Sequence, residues 1–223
     1  MPIDAIVPAH NEEPRVAAVC VALLQARAFR TVLCVDDGSQ DRTAEMAHRA
    51  GARVMRLPVN RGKGGAMQAA VNALPRDGAE IAFFDSDLKG FMPHHAALLV
   101  REYMRLRPSQ IVGMRDHFGP LAATASLLMP IISGERIVQR WVLDAMPLDC
   151  WNGYAIETAI NFTVDRYGGS TVLMPMKGVQ ICGKMGKVGW LDGLRGHVKM
   201  FRQMERTHAA LHGSGGGTCG TAR

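Results

Sequence analysis

Two carboxylates one residue apart, Asp85 and Asp87, follow the apolar run Ile81-Ala82-Phe83-Phe84. Alternation along a strand points residues 85 and 87 to the same side. Convergent carboxylates are hard oxygen ligands, suited to Mg²⁺ or Mn²⁺ with water or substrate phosphate completing the shell. A metal held there could bridge a diphosphate and neutralise its charge on departure. Asn60-Arg61-Gly62-Lys63-Gly64-Gly65 stands where a strand passes into a helix. Its glycines let backbone N–H groups approach an anion, the helix start adds partial positive charge, and Lys63 adds a full one. No Ser or Thr follows Lys63, so this is not a P-loop, and the segment is not the GxGxxG dinucleotide fingerprint either. In Val35-Asp36-Asp37-Gly38-Ser39, one carboxylate can accept a uracil imide N–H or hold a ribose hydroxyl. Val7-Pro8-Ala9-His10-Asn11-Glu12 ends a first apolar run, where backbone groups and Glu12 would line the same crevice. Taken singly, each segment has a plainer local reading, as a capped turn or a glycine-rich connector.

These segments need a scaffold that brings them together. Residues 3–8, 31–35, 53–57, 80–84 and 110–114 read as strands, and residues 170–174 as a further one. Between them, residues 12–28, a stretch beginning at Asp41 or Thr43, and residues 64–74 carry helical spacing, and a helix closes over 103–107. Strand–helix alternation predicts a mostly parallel α/β sheet with helices on both faces. Ligands of such sheets bind at the carboxyl ends of the strands, where all four polar segments fall. After residue 115 the pattern loosens. Residues 116–125 read as a loop, residues 133–146 and 154–167 as helices, and residues 188–208 as a basic amphipathic stretch that packs on the core or lies on a membrane surface. Residues 213–223 read as a disordered tail. The expected organisation is a single domain over 1–212, with a donor half at 1–115 and an acceptor half at 116–212.

Composition narrows the classes. The chain has 223 residues, 48% hydrophobic and 21% charged, enough to bury a full core and too apolar for a disordered chain. The richest apolar run, 121–132, is interrupted by Pro130 and falls short of the ~18 residues a membrane span needs. Acidic residues near the amino end argue against a signal peptide. A soluble, cytoplasmic protein is expected; a peripheral membrane contact and a homodimer stay open. Five scattered cysteines without a CxxC read as reduced, buried thiols. The net charge of +6 comes with only 6% aromatics and dispersed basic residues, so it favours a diphosphate pocket over nucleic acid.

In this order and spacing, VPAHNEE, VDDGSQDRT, NRGKGGAM and FFDSDLKG resemble family 2 glycosyltransferases with the GT-A fold. The resemblance is close over residues 3–115 and looser at SGER (133–136) and GYAIE (153–157). Among members, it is greatest to small soluble ones related to polyprenyl-phosphate sugar transferases and glucosyl-3-phosphoglycerate synthases. It implies a nucleotide-sugar donor, UDP-linked by first expectation, and a divalent metal, Mg²⁺ or Mn²⁺. Pro8, Ala9, Asn11 and Glu12 would contact the nucleobase, with Asp36 or Asp37 nearby. Lys63 would meet the nucleotide or phosphates, Asp85 and Ser86 would lie near ribose or metal, and Asp87 would be the firmer metal ligand. Such relatives place a metal-contacting His in the carboxyl region. Here residues 179–189 offer Ile181 and Cys182 instead, and His197 lies too far along. The metal then has Asp ligands plus diphosphate and water, or His117 reaches in from its loop.

Glycosyl transfer passes through a cation-like sugar, so the chief electrostatic task is the departing diphosphate, shared by metal, Lys63 and Arg115. For a hydroxyl acceptor with inversion, Glu157 is the first candidate base and Asp149 the second. For a phosphate acceptor no base is needed, and Ser133, Arg136 and Arg140 would serve as anion contacts. A sugar-phosphate nucleotidyltransferase is the alternative enzyme, against which PAHNEE stands where a glycine-rich loop belongs. A catalytically degenerate nucleotide-sugar-binding module is the non-enzymatic one.

Overall fold

The computed structural model of the chain describes residues 2–77, 79–115, 133–151 and 156–181. The readings of residues 116–132, of 188–208 and of the tail lie outside these residues. Nine strands and six α-helices follow one another within them. They are β1 (Ile3–Ala9), α1 (Val16–Gln25), β2 (Thr31–Asp36), α2 (Thr43–Arg49), β3 (Arg53–Arg56), α3 (Gly62–Ala73) and β4 (Glu80–Phe83). Then come β5 (Leu88–Lys89), α4 (Pro93–Leu106), β6 (Gln110–Arg115), β7 (Arg136–Val138), α5 (Arg140–Ala145), a 3-10 turn (Leu148–Trp151), α6 (Ile156–Arg166), β8 (Thr171–Met176) and β9 (Gln180–Ile181).

Seven strands form one sheet in the order β3-β2-β1-β4-β7-β6-β8, while β5 and β9 pair separately. Every pairing in the large sheet is parallel except the two that β7 makes with β4 and β6. Parallel neighbours need crossover connections, and the helices supply them. Alternation along the strands sorts the core into two layers. Ala5, Val7 and Ala9 of β1 pack with Val19 and Leu23 of α1 and Leu99 and Tyr103 of α4. Ile6, Leu33 and Val35 face the other way, against Met67 and Ala70 of α3 and Ile156 and Ile160 of α6. Cys20, Cys34 and Cys150 are buried free thiols, as expected for those three.

One expected helix is half strand. Residues 133–146 read as helical, yet β7 occupies Arg136–Val138 and the helix begins only at Arg140. Ile137 pairs with both Ala82 and Ile111, filling the gap between two strands whose facing N–H and C=O groups would otherwise go unsatisfied. Because β7 runs antiparallel, its beginning lies at the carboxyl edge of its neighbours. This places Ser133-Gly134-Glu135 beside the ends of β4 and β6. The first helix also starts later than expected. A turn over residues 13–15 precedes it, with the N–H groups of Arg15 and Val16 both reaching the carbonyl of Glu12 at 3.0 Å.

Candidate active site at the carboxyl edge of the sheet

The turn after β2 is held by its own carboxylates. Asp36, fully buried, accepts the N–H of Ser39 through Oδ1 at 3.0 Å, and its Oδ2 lies 3.2 Å from Nε of Arg56. Asp37 accepts the N–H of Arg61 at 2.7 Å and so ties this turn to the start of α3. Gly38 has φ +67°, and a Cβ there would lie 2.8 Å from the backbone of Val59 and Asn60, so only glycine fits. The turn after β1 docks on it. Asn11 (φ +54°) receives the N–H of Gln40 and donates its own to Oγ of Ser39, both at 3.0 Å. Glu12 is buried, its N–H on Thr43 Oγ1 and its carboxylate 2.7 Å from Arg15. Pro8 and Ala9 are buried as the last residues of β1, and the carbonyl of Ala9 accepts the N–H of Asp37. The expected nucleobase residues therefore do converge, and the carboxylates of Asp36 and Asp37 organise the turn.

At the centre of the edge stands a charge cluster. Lys63, from the first turn of α3, places Nζ 2.5 Å from Oδ1 of Asp85 and 2.5 Å from Oε1 of Glu157 at the start of α6. Arg115, the last residue of β6, reaches Oδ2 of Asp85 at 3.1 Å and Oε2 of Glu135 at 3.4 Å. Asp85 thus holds one cation on each oxygen. Burial pushes its carboxyl up, but Lys63 and Arg115 outweigh burial and hold it at about 2. Burial likewise works against the charge on Lys63, and Asp85 and Glu157 overcome it, raising the ammonium above its ordinary value. Arg115 is also held above its ordinary value, against burial, by Glu135, Asp85, Glu157 and Asp87. β4 ends at Phe83, so Asp85, Ser86 and Asp87 lie in the turn beyond it and strand alternation does not set their directions; Ser86 is buried and Asp87 partly exposed.

Gly134 and Glu135 belong to this cluster and were not singled out from the sequence, although both lie within the SGER segment. A Cβ on Gly134 would stand 2.3 Å from Oδ1 of Asp85, so the glycine is what lets β7 enter so close to that carboxylate. Glu135 is fully buried, and burial raises its carboxyl above the ordinary value despite Arg115. The only sequence signal was an acid next to a base before a β-branched pair.

Of the expected acceptor-side residues, Ser133 and Arg136 are turned inward beneath the cluster and Arg140 sits away from it. Ser133 is buried, with Oγ 2.5 Å from the carbonyl of Gly113 and 2.7 Å from Glu135. Arg136 is fully buried, donating to the carbonyl of Ser133 and to Gln110 Oε1 and Asn161 Oδ1, which makes it an internal brace beneath the site. Arg140 lies at the opposite edge, donating to the carbonyls of Val71 and Pro75 at the end of α3. Arg115 reaches Asp85 and Glu135 directly. The side chain of Asp149, His117, Cys182 and His197 lie outside the described residues.

An edge that gathers two cations on one aspartate, with a second aspartate two residues on, suits a diphosphate and a divalent cation. Comparisons with known proteins bear on it directly. The family described as Glycosyl transferase family 2 matches residues 4–141. The chain is 38% identical over 101 residues to the dolichyl-phosphate beta-glucosyltransferase of Drosophila melanogaster, covering 38% of this chain and 30% of that protein. It is also 38% identical over 96 residues to the uncharacterized glycosyltransferase YaiP of Escherichia coli, covering 41% of this chain and 23% of YaiP. The chain thus spans a third or less of the length of these two relatives. Among solved structures, glucosyl-3-phosphoglycerate synthase from Mycobacterium tuberculosis in complex with Mn²⁺, UDP and glucosyl-3-phosphoglycerate superposes with a TM-score of 0.77 at 25% identity, over 95% of this chain and 80% of that one. The same synthase in complex with Mg²⁺ and UDP gives a TM-score of 0.77 at 24% identity, over 95% and 79%. With its GT-A sheet, its four motifs in register and a family match running from β1 into α5, the chain belongs to glycosyl transferase family 2.

Proposed function

We propose that the protein is a metal-dependent glycosyltransferase that moves a sugar from a nucleotide-sugar donor, UDP-linked, to a hydroxyl or phosphate acceptor. The observation that carries this is the pair of cations, Lys63 and Arg115, held on the two oxygens of Asp85 beside Asp87. The solved neighbours bound to UDP with Mn²⁺ or Mg²⁺ support the choice of donor and cation. Asp87, partly exposed two residues beyond the clamped Asp85, would supply a hard oxygen ligand that fits such an ion. No group of three or more His, Cys, Asp or Glu suited to a metal exists among the described residues, so the set stays open to diphosphate oxygens and water. Such an ion, when bound, neutralises the departing diphosphate.

The chain's own residues do the rest. Asn11, Glu12 and the Asp36–Asp37 turn bound the nucleoside end of the crevice. Lys63 and Arg115 face the charge that grows on the diphosphate as the sugar's C1–O bond breaks. The new bond forms between C1 and an acceptor oxygen. With a hydroxyl acceptor, Glu157 takes its proton; a phosphate acceptor is already ionised and needs none. No helix among the described residues is long and apolar enough to cross a membrane.

A thermal-shift panel of UDP-, GDP- and dTDP-sugars, each with Mn²⁺ or Mg²⁺, tests this reading. UDP-sugars with metal should raise the melting temperature, and Asp87→Ala should lose both that metal-dependent gain and turnover while melting near wild type alone. A wild-type protein that responds to no donor, or an Asp87→Ala variant with undiminished metal-dependent activity, overturns it.

A further inference from the structure

The contacts of Lys63 carry a consequence beyond phosphate binding. Its ammonium lies 2.5 Å from an oxygen of Asp85 and 2.5 Å from an oxygen of Glu157, two carboxylates contributed by different elements, β4's exit and α6. The other oxygen of Asp85 is taken by Arg115. All three side chains of the Lys63 contact are largely enclosed, with 18% of Lys63, 18% of Asp85 and 5% of Glu157 exposed. Enclosure weakens screening, so charges at this spacing govern one another. Without a cation between them, Asp85 and Glu157 would be two like charges facing each other across a narrow gap.

We infer that Lys63 is a resident counter-ion of Asp85 and Glu157 that competes with a divalent cation arriving at Asp85 and Asp87 until a diphosphate draws it away. The inference rests on the donor-site reading above. Lys63 and a divalent ion compete for the same carboxylate charge, and a +1 ammonium already seated there repels a +2 ion. A diphosphate offers Lys63 a new anionic partner, and its transfer to phosphate returns carboxylate charge to the metal. Metal alone should therefore bind weakly, and metal with nucleotide diphosphate tightly. The device also keeps the acid cluster from trapping a stray cation in an orientation useless for transfer. Arg115, anchored a second time by Glu135, stays on Asp85 while Lys63 moves.

The decisive measurement is Mn²⁺ binding in the absence of donor, read by electron paramagnetic resonance of free Mn²⁺, beside UDP binding by calorimetry at saturating Mn²⁺. Lys63→Met should bind Mn²⁺ alone about tenfold or more tightly than wild type and UDP about tenfold or more weakly, effects of opposite sign. Lys63→Gln, whose amide still hydrogen-bonds both carboxylates, serves if the methionine variant does not fold, with the same expectation. Lys63→Arg, which keeps the charge, should leave Mn²⁺ binding alone at the wild-type level. If both ligands bind more weakly in the neutral variants, or Mn²⁺ affinity without UDP is unchanged, the counter-ion role is wrong. If wild type binds no UDP even with Mn²⁺, the donor-site reading itself fails, which is a separate result.

Discussion

Gly134→Ala adds one methyl group at the place where β7 begins against Asp85. Gly134 is absent from the residues with positive φ, so the methyl rather than the backbone conformation is what changes. The new Cβ would lie 2.3 Å from Oδ1 and 2.6 Å from Cγ and Oδ2 of Asp85, where ordinary contact begins at 3.4 Å. One partner must yield by roughly 1 Å, judged from those distances. An exposed carboxylate would swing aside at little cost. This one is clamped between Lys63 and Arg115, so moving it loosens both ion pairs. Overpacking of this kind costs about 1–3 kcal/mol, and the melting temperature of a domain this size falls by about 2–4 °C per kcal/mol. The larger effect falls on chemistry: a displacement of about 1 Å in a positioned group costs on the order of a hundredfold in rate. Calorimetric titration with UDP and Mn²⁺, together with UDP release from a UDP-sugar, reads both consequences. Wild-type affinity and wild-type release in Gly134→Ala would show that the Asp85 clamp does not organise the site.

Two further expectations concern Glu135, which supports the cluster, and His95, which closes the start of α4. Burial raises the carboxyl of Glu135, so the wild type gains stability from it below the ordinary glutamate range and loses that gain as pH rises through the raised value. Glu135→Gln should therefore gain in melting temperature relative to wild type between pH 4 and 8 while losing roughly tenfold in kcat/KM, since Arg115 loses a charged anchor; a flat difference in melting temperature counts against the buried charge. His95 accepts the N–H of Met92 at Nδ1 and meets the carbonyl of Lys177 at Nε2, both at 3.0 Å, an arrangement that needs the neutral ring. Burial, and then His94, lower its pKa below 6.5, so this stability is present above pH 6.5 and is lost as pH falls through the lowered value. His95→Gln, which can still close the capping box of α4, should melt with a shallower pH dependence between 7 and 5 than wild type; an equally steep dependence sinks this assignment.

Short-range pattern was enough for much of this molecule. Apolar runs such as residues 31–35 and 80–84 could only be buried strands between helices. A parallel sheet then obliges the polar turns after β1, β2, β3 and β4 to share one edge, so the convergence of Asn11, Asp36, Lys63 and Asp85 was legible from order alone. Partnership was not. Lys63 and Glu157 are 94 residues apart and meet only because α3 and α6 cover the same face of the sheet. Arg136 and Ser133 read as anion contacts because composition cannot tell an inward arginine from an outward one; pairing of β7 between β4 and β6 turns them into the floor. That pairing also explains Glu135 and Gly134. An antiparallel strand inserted among parallel ones delivers its beginning, not its end, to the edge where the others finish, and nothing local to residues 133–138 encodes which neighbours it will find. Residue types and spacing determined which chemistry was at hand; tertiary packing alone decided which charge answers which, because ion-pair energy depends on distance through space and not along the chain.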